Sequence, residues 1–563
     1  MNAETKTCQS CKAQFTIEPE DFLFYEKMQV PSPTWCPNCR MRRRLGFWGY
    51  RVLYKGKCAL TGENIITFYH PDEKRTIYKQ DVWWSDKWDP KAYGKPYDFS
   101  RPFFEQFFDL LGRVPMPALY TEYATMENSE YCNAAAALKN CYLCFKSDFS
   151  ENSAYTNTVS KIKDSMDVFG SFGAELCYEI INCVECMRVF WSQDCEKCFD
   201  VYFSRDLIGC SNCVGCANLR NKDYHIFNTP YSKEEYERLF KEYGFGSARS
   251  TAEFLEKARA FWKKQPHRAF HGRSNENVSG DYIYNSKNVH DSYMVQNSED
   301  IRYTQLTKMG STVSAYDYSG FGMNAELIYE CTWVGLGVHN LKFCFWNYNA
   351  HDLEYSTGCH GSSDLFGCVG IRQGKFCILN KEYSEQEYKE IVPKIKEQML
   401  KMPYKDKKGR EYRYGDFWPT ERCPWGYNET TAQEFLPLSR EEALAQGFRW
   451  RDPDAREFGP ATVDAPDHIK DVADDVIKGV LKCQECRMNY KLVKMELQFY
   501  RKLNIPIPQC CPLCRDRARI SHLSPIRIFD RRCEKCKKDI TSSYDPKGEE
   551  LVYCEACYQA EVV

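Results

Sequence analysis

The chain has 563 residues, 43% apolar and 15% aromatic, which is room for roughly three to five domains with sizeable cores. Its net charge of −2 excludes a polycation, so any contact with nucleic acid has to come from a local patch. No apolar run follows Met1 and no stretch approaches the roughly 18 apolar residues of a membrane span, so the 31 cysteines read as metal ligands and buried thiols of a reducing, cytoplasmic setting.

Residues 1–83 open with Cys8-x2-Cys11 and Cys36-x2-Cys39, two knuckles that together supply four thiolates for a tetrahedral metal, zinc by preference. The same module recurs at 481–563, at a constant offset of 475. Cys483, Cys486, Cys511 and Cys514 repeat the four ligands, Phe499 and Tyr500 repeat Phe24 and Tyr25, and Arg515, Arg517 and Arg519 repeat Arg40, Arg42 and Arg44. Arg43 has no counterpart, and Cys510 stands beside Cys511 as a rival third ligand. The second half of the C-terminal copy adds Cys533, Cys536, Cys554 and Cys557, a further full set. Its N-terminal equivalent keeps only Cys58, with Thr61, Lys79 and Val82 at the other three positions. That half-module is expected to keep its fold around Ile65, Tyr69, Tyr78 and Trp83 without a metal. Three zinc ions are therefore expected, each closed by four cysteines and so structural rather than catalytic.

The stretches Cys8-Gln-Ser-Cys11, Glu20-Asp-Phe-Leu-Phe-Tyr25 and Cys36-Pro-Asn-Cys39-Arg resemble the "probable zinc ribbon" treble-clef family over about 40 residues at each end. The resemblance implies metal binding and a basic helix after the second knuckle, and no particular activity.

Residues 84–125 form an aromatic strap (Trp84, Trp88, Phe103, Phe104) with a short helix near Phe104–Leu111. From about 126 to 229 every third residue is small or apolar, for example Cys177, Ile180, Cys183, Cys186 and Val189. A period of three suits neither an α-helix nor a flat strand, and predicts a β-solenoid with coils of 12 or 18 residues. Asn and Asp at positions such as 140, 152 and 164 are expected at its corners. A helical cap spans 230–274, with capping boxes at Ser232/Glu235 and Ser250/Glu253. A second solenoid spans 275–381, slipping by one residue near Trp333, and a cap at 382–402 opens with Ser384/Glu387. Residues 403–480 read as a linker with one short helix capped by Ser439/Glu442 and an acidic hinge at 452–474. The fold class is thus mainly β: two β-solenoid blocks with helical caps between treble-clef modules. This order of parts resembles a group of cysteine-rich, zinc-ribbon-flanked proteins of candidate-phylum bacteria, which implies no activity.

The solenoid cysteines leave three readings open: small buried side chains, cross-coil disulfides, or a further metal site at Cys183, Cys186, Cys195 and Cys198. The outward aromatics, among them Tyr142, Tyr155, Tyr178, Phe190 and Tyr202, could stack bases or lie buried under the strap or the helices. No phosphate loop, nucleophile elbow or His-Glu-x-x-His is present, so the reading leans away from an enzyme. It favours a zinc-binding cytoplasmic scaffold that contacts RNA, DNA or a ribonucleoprotein through Arg40, Arg42, Arg43, Arg44, Arg515, Arg517 and Arg519. The alternatives are a protein-interaction scaffold without nucleic acid, and a carbohydrate-active enzyme using Glu175/Glu179 or Glu326/Glu330.

Overall fold

The period-three segments become ladders of short parallel strands. In the first, running from Asn133–Lys139 to Asp223–Ile226, Ser147 pairs with Val159, Val168 with Ile180 and Val189 with Val201. Successive rungs are therefore twelve residues apart, the shorter of the two expected spacings. Bridges outside the strands keep that offset, as in the column Phe172, Val184, Glu196, Ile208 and Arg220. The computed structural model describes residues 2–308, 310–452 and 459–562; of the expected hinge at 452–474, residues 453–458 lie outside the described residues.

The backbone explains the period. Every third residue from Ala134 to Phe227 has positive φ. Only some of these are Gly, Asn or Asp. Tyr155, Lys161, Arg188 and Trp191 adopt the same left-handed conformation, at a cost of roughly 1–2 kcal/mol each. Corners at Asn and Asp, as expected, are thus a minority of those present. The residue after each left-handed one is buried as far as Cys216, and Val159, Ile162, Val168, Cys177, Ile180, Val189 and Val201 form one core.

Serine and cysteine at these buried positions serve the backbone. Ser192 Oγ donates to Phe190 O (2.8 Å) and accepts from Ser204 N (2.9 Å). Ser204 Oγ donates to Tyr202 O (2.9 Å) and accepts from Cys216 N (3.1 Å). Cys216 Sγ repeats the pattern between Val214 O and Asn228 N, at 3.4 Å each. One hydroxyl or thiol per corner thus satisfies an amide that the parallel ladder leaves over, which a valine could not do. All 31 cysteines are free, so the cross-coil disulfides are absent.

The second ladder, from Gly272–Arg273 to Lys375–Ile378, is less regular. Gly272 pairs with Ile283, Ser298 with Thr312, Ile328 with Leu341 and Leu353 with Leu365, so its offset moves through 11, 14 and 13 before settling at 12. The slip expected near Trp333 is this 13-residue rung. Both ladders end alike. The Asn228 side chain bonds Ala217 N and O (2.9 Å each), and Asn380 does the same to Val369 (2.7 and 2.8 Å), imitating one more strand. Helices Lys233–Glu242 and Glu385–Lys401 follow, N-capped by Ser232 and Ser384 as expected. The next helix, Ala248–Lys263, is capped by Ser247 and not by Ser250, which lies inside it.

The terminal modules match element for element at the offset of 475. The hairpin pairing Lys6 with Phe15 recurs as Leu481 with Tyr490, and that pairing Tyr54 with Thr67 recurs as Phe529 with Ser542. Helix Pro37–Gly46 recurs as Pro512–Ser521, its Pro at the first turn in both copies.

The chain divides into two compact units that do not follow chain order: 1–119 with 270–452, and 120–269 with the C-terminal segment to 563. Each unit joins one terminal module to one ladder, and in each case the ladder is the one farther along the chain from that module. The expected cover for the first ladder's aromatics is corrected accordingly. Tyr155, Tyr178 and Phe190 are buried against Leu497, Phe499 and Tyr500 of the C-terminal module, and Phe203 against Phe254 and Trp262 of the helices. The strap instead packs on the second ladder, with Phe103 against Tyr355 and Phe366 and Trp83 against Trp346. No helix among the described residues is long and apolar enough to cross a membrane.

Candidate metal centres

Three groups of four cysteines converge: Cys8, Cys11, Cys36 and Cys39; Cys483, Cys486, Cys511 and Cys514; and Cys533, Cys536, Cys554 and Cys557. Within each, all Sγ atoms lie within 4.8 Å of one another. In each group the first knuckle lies in a hairpin turn and the second opens a helix, so two tight turns face each other. Sγ–Sγ separations are 3.7 Å (Cys11 to Cys36), 3.7 Å (Cys486 to Cys511) and 3.8 Å (Cys536 to Cys554). A tetrahedron with Zn–S bonds of about 2.3 Å has edges of about 3.8 Å, whereas a disulfide would need about 2.05 Å. The donor sets therefore fit three zinc ions, and Cys511, not Cys510, is the third ligand of the second group.

The protein prepares these thiols for a cation. Cys36 N donates to Cys8 Sγ (3.2 Å), Cys511 N to Cys483 Sγ (3.2 Å) and Cys554 N to Cys533 Sγ (3.3 Å). Desolvation would raise the Cys483 thiol, yet N–H donors from Cys511 and Cys486 hold it down to about 6; Cys536 and Cys554 hold Cys533 down to about 6 in the same way. When bound, zinc would act as a four-way staple between hairpin and helix. The degenerate module keeps this frame: Lys79 N donates to Cys58 Sγ (3.3 Å), and Ile65, Tyr69, Tyr78 and Trp83 are buried as expected. Among the described residues, Cys183, Cys186, Cys195 and Cys198 do not form a metal-holding group. Their sulfurs lie against backbone carbonyls, as with Cys183 to Ile181 O (3.5 Å) and Cys198 to Glu196 O (3.3 Å).

The arginines after the second knuckles lie elsewhere than the reading as phosphate ligands requires. Arg40, Arg43 and Arg44 are buried, and Arg515 and Arg519 likewise. Arg40 and Arg44 both reach Asp317 at 2.8 Å, Arg44 also meets Glu330 at 3.5 Å, and Arg43 meets Glu330 at 2.8 Å. In the other unit Arg515 reaches Asp167 at 3.1 Å, and Arg519 reaches Asp167 at 2.8 Å and Glu179 at 3.0 Å. Each anchor therefore sets arginines of a zinc-knuckle helix, three in the first unit and two in the second, against an aspartate and a glutamate one rung apart. The arginines that carry their charge into these carboxylate pairs do not present it to phosphate. Arg42, half-buried against Gln446 (3.2 Å), and the exposed Arg517 are the members of the set that solvent reaches.

The correspondence extends to the hydrogen bonds around each anchor. Arg40 Nη1 donates to Trp35 O (2.8 Å) and Arg515 Nη1 to Cys510 O (3.0 Å). Asp21 and Glu496 cap their own helices by accepting from Glu18 N (3.0 Å) and Val493 N (2.8 Å). Each carboxylate also meets the ladder: Arg302 donates to the other oxygen of Asp21 (2.9 Å), and Tyr155 donates to the same Glu496 oxygen that caps the helix (2.7 Å). The guanidinium of Arg40 lies 5.3 Å from the Tyr303 ring and that of Arg515 lies 4.8 Å from Tyr155. Asp167, Asp317, Asp21 and Glu496 escape a reading of the sequence made by residue type. A signal was present in Asp167 and Asp317, which occupy matching rungs of the two ladders. Glu179 and Glu330, one carboxylate from each of the candidate acid/base pairs Glu175/Glu179 and Glu326/Glu330, are engaged by arginine.

Comparison with known proteins returns no matching family model and no matching curated protein. A solved chain described as "putative acetyltransferase from Desulfovibrio desulfuricans G20" aligns at 11% identity over 51% of this chain and 74% of its own, with a TM-score of 0.10, too low to carry an argument.

Proposed function

We propose that this protein is a zinc-stapled scaffold built on two β-solenoids, which presents ladder faces to protein partners in the cytoplasm. Buried anchoring of the arginine runs carries the reading: the strongest basic signal in the sequence is consumed inside each unit, which favours a protein partner over RNA, DNA or a ribonucleoprotein. The even twelve-residue register and the buried every-third side chains support closed coils. Closed tetracysteine sites support a structural metal, and 31 free cysteines support a reducing compartment. The modules fit the treble-clef plan, with hairpin knuckle and helix knuckle sharing one ion.

The test uses the tag-free, zinc-loaded chain. Partners captured from its own cells should be proteins that stay bound after nuclease treatment, and labelled RNA and DNA should show no salt-dependent shift. A shift that weakens with salt and is lost in Arg42→Ala/Arg517→Ala would overturn this reading and return the nucleic-acid one.

A further inference from the structure

The second ladder carries a feature that neither the zinc staples nor the anchors use. His339 and His351 are register partners on adjacent parallel strands, and Glu326 is the register partner of His339 on the preceding strand. All three are exposed. Beneath them Ile328, Leu341 and Leu353 stack in the core in the same register, so the three strands are held at fixed height. Side chains at equivalent positions of neighbouring rungs leave the same face, about 4.8 Å apart.

His351 is also oriented. Its Nδ1 bonds Asp352 Oδ2 at 2.9 Å, and Asp352 Oδ1 accepts from Asn340 Nδ2 at 2.6 Å. A carboxylate on Nδ1 fixes the tautomer and leaves the Nε2 lone pair outward, an arrangement found behind metal-bound histidines. From this geometry we infer that Glu326, His339 and His351 form a surface site for a divalent transition metal, with Asp352 as a positioning residue. The donor atoms of the three are not gathered as those of the tetracysteine groups are; two imidazole nitrogens about 2.0–2.1 Å from one ion sit about 3.4 Å apart, which rotation of His339 reaches from rungs about 4.8 Å apart while His351 stays on Asp352. Two imidazoles and a carboxylate suit nickel, copper or zinc over calcium or magnesium, and water completes the coordination. The site differs in kind from the tetracysteine groups: it is open, exchangeable and lies on the ladder face.

The experiment is calorimetric titration of tag-free, zinc-loaded, chelator-washed full chain with Ni(II). One Ni(II) per chain is expected beyond the retained zinc. It should be lost in His339→Ala and in His351→Ala, whose exposed positions leave folding intact by circular dichroism. Asp352→Ala should weaken binding about 10–100-fold, and Asp352→Asn, which still accepts from Nδ1, should recover part of that. No Ni(II) uptake by the parent protein, or uptake unchanged in both histidine variants, would overturn the assignment.

Discussion

Arg44 and Arg519 occupy the same place in two copies of one module, and each is a buried guanidinium that ends in a carboxylate pair. Such a pair adds little net stability over apolar packing, but removing one partner leaves an uncompensated buried charge. Arg44→Ala is therefore expected to cost about 3–5 kcal/mol in chemical denaturation of the first unit, and Arg519→Ala a similar amount in the second. Combining Arg44→Ala with Asp317→Asn should not recover the loss, because the buried Arg40 also pairs with Asp317 (2.8 Å) and would lose that partner. Asp148 makes a separate residue-scale prediction. Burial pushes its carboxyl up to about 7, against the lowering effect of the Ala136 N–H it accepts at 2.9 Å. A folded value above the unfolded one means that the stabilisation is complete below about pH 4 and is lost as pH rises through about 7. Asp148→Asn should therefore flatten the pH dependence of stability between pH 4 and 8; an unchanged profile would count against this assignment.

At the level of elements, the ladders depend on small polar side chains that look interchangeable with apolar ones in sequence. Ser204→Ala removes the bridge between Tyr202 O and Cys216 N and should cost about 1–3 kcal/mol. Ser204→Cys should cost less, because Cys216 makes the same bridge one rung on. The comparison is read by thermal unfolding. Much of the ladder was legible: a period of three, no interrupting charge and the slip near Trp333 are all visible as spacing. The left-handed backbone at Tyr155, Arg188 and Trp191 was not, because only tertiary register makes a bulky residue accept that conformation. The cysteine ligands were legible because zinc geometry is local to two turns. The destination of Arg40, Arg44, Arg515 and Arg519 was not, because an arginine has the same signature whether it meets phosphate, water or a carboxylate hundreds of residues away.

For the molecule as a whole, three tetracysteine groups set a stoichiometry and divide it unequally between the units: one in the first and two in the second. Elemental analysis after chelator washing should give three zinc ions per chain. Cys36→Ser should lower this to two and raise amide hydrogen exchange in 1–50, while exchange around Cys511 and Cys554 stays at its parent level. Equal loosening of both units would contradict their independence.

The interleaved pairing of modules and ladders has a consequence for how the chain is made. Arg44 and Glu330 are 286 residues apart, which at about 5–20 residues per second is roughly 15–60 s of synthesis. During that interval the first module exists with its cationic helix face unmatched, and the ladder that follows it must wait longer still, for Arg515, 348 residues beyond Asp167. Neither unit can close early. A ribosome carrying this protein exposes the interior face of each module or ladder until its partner has been made, which makes the nascent chain the form most in need of a chaperone.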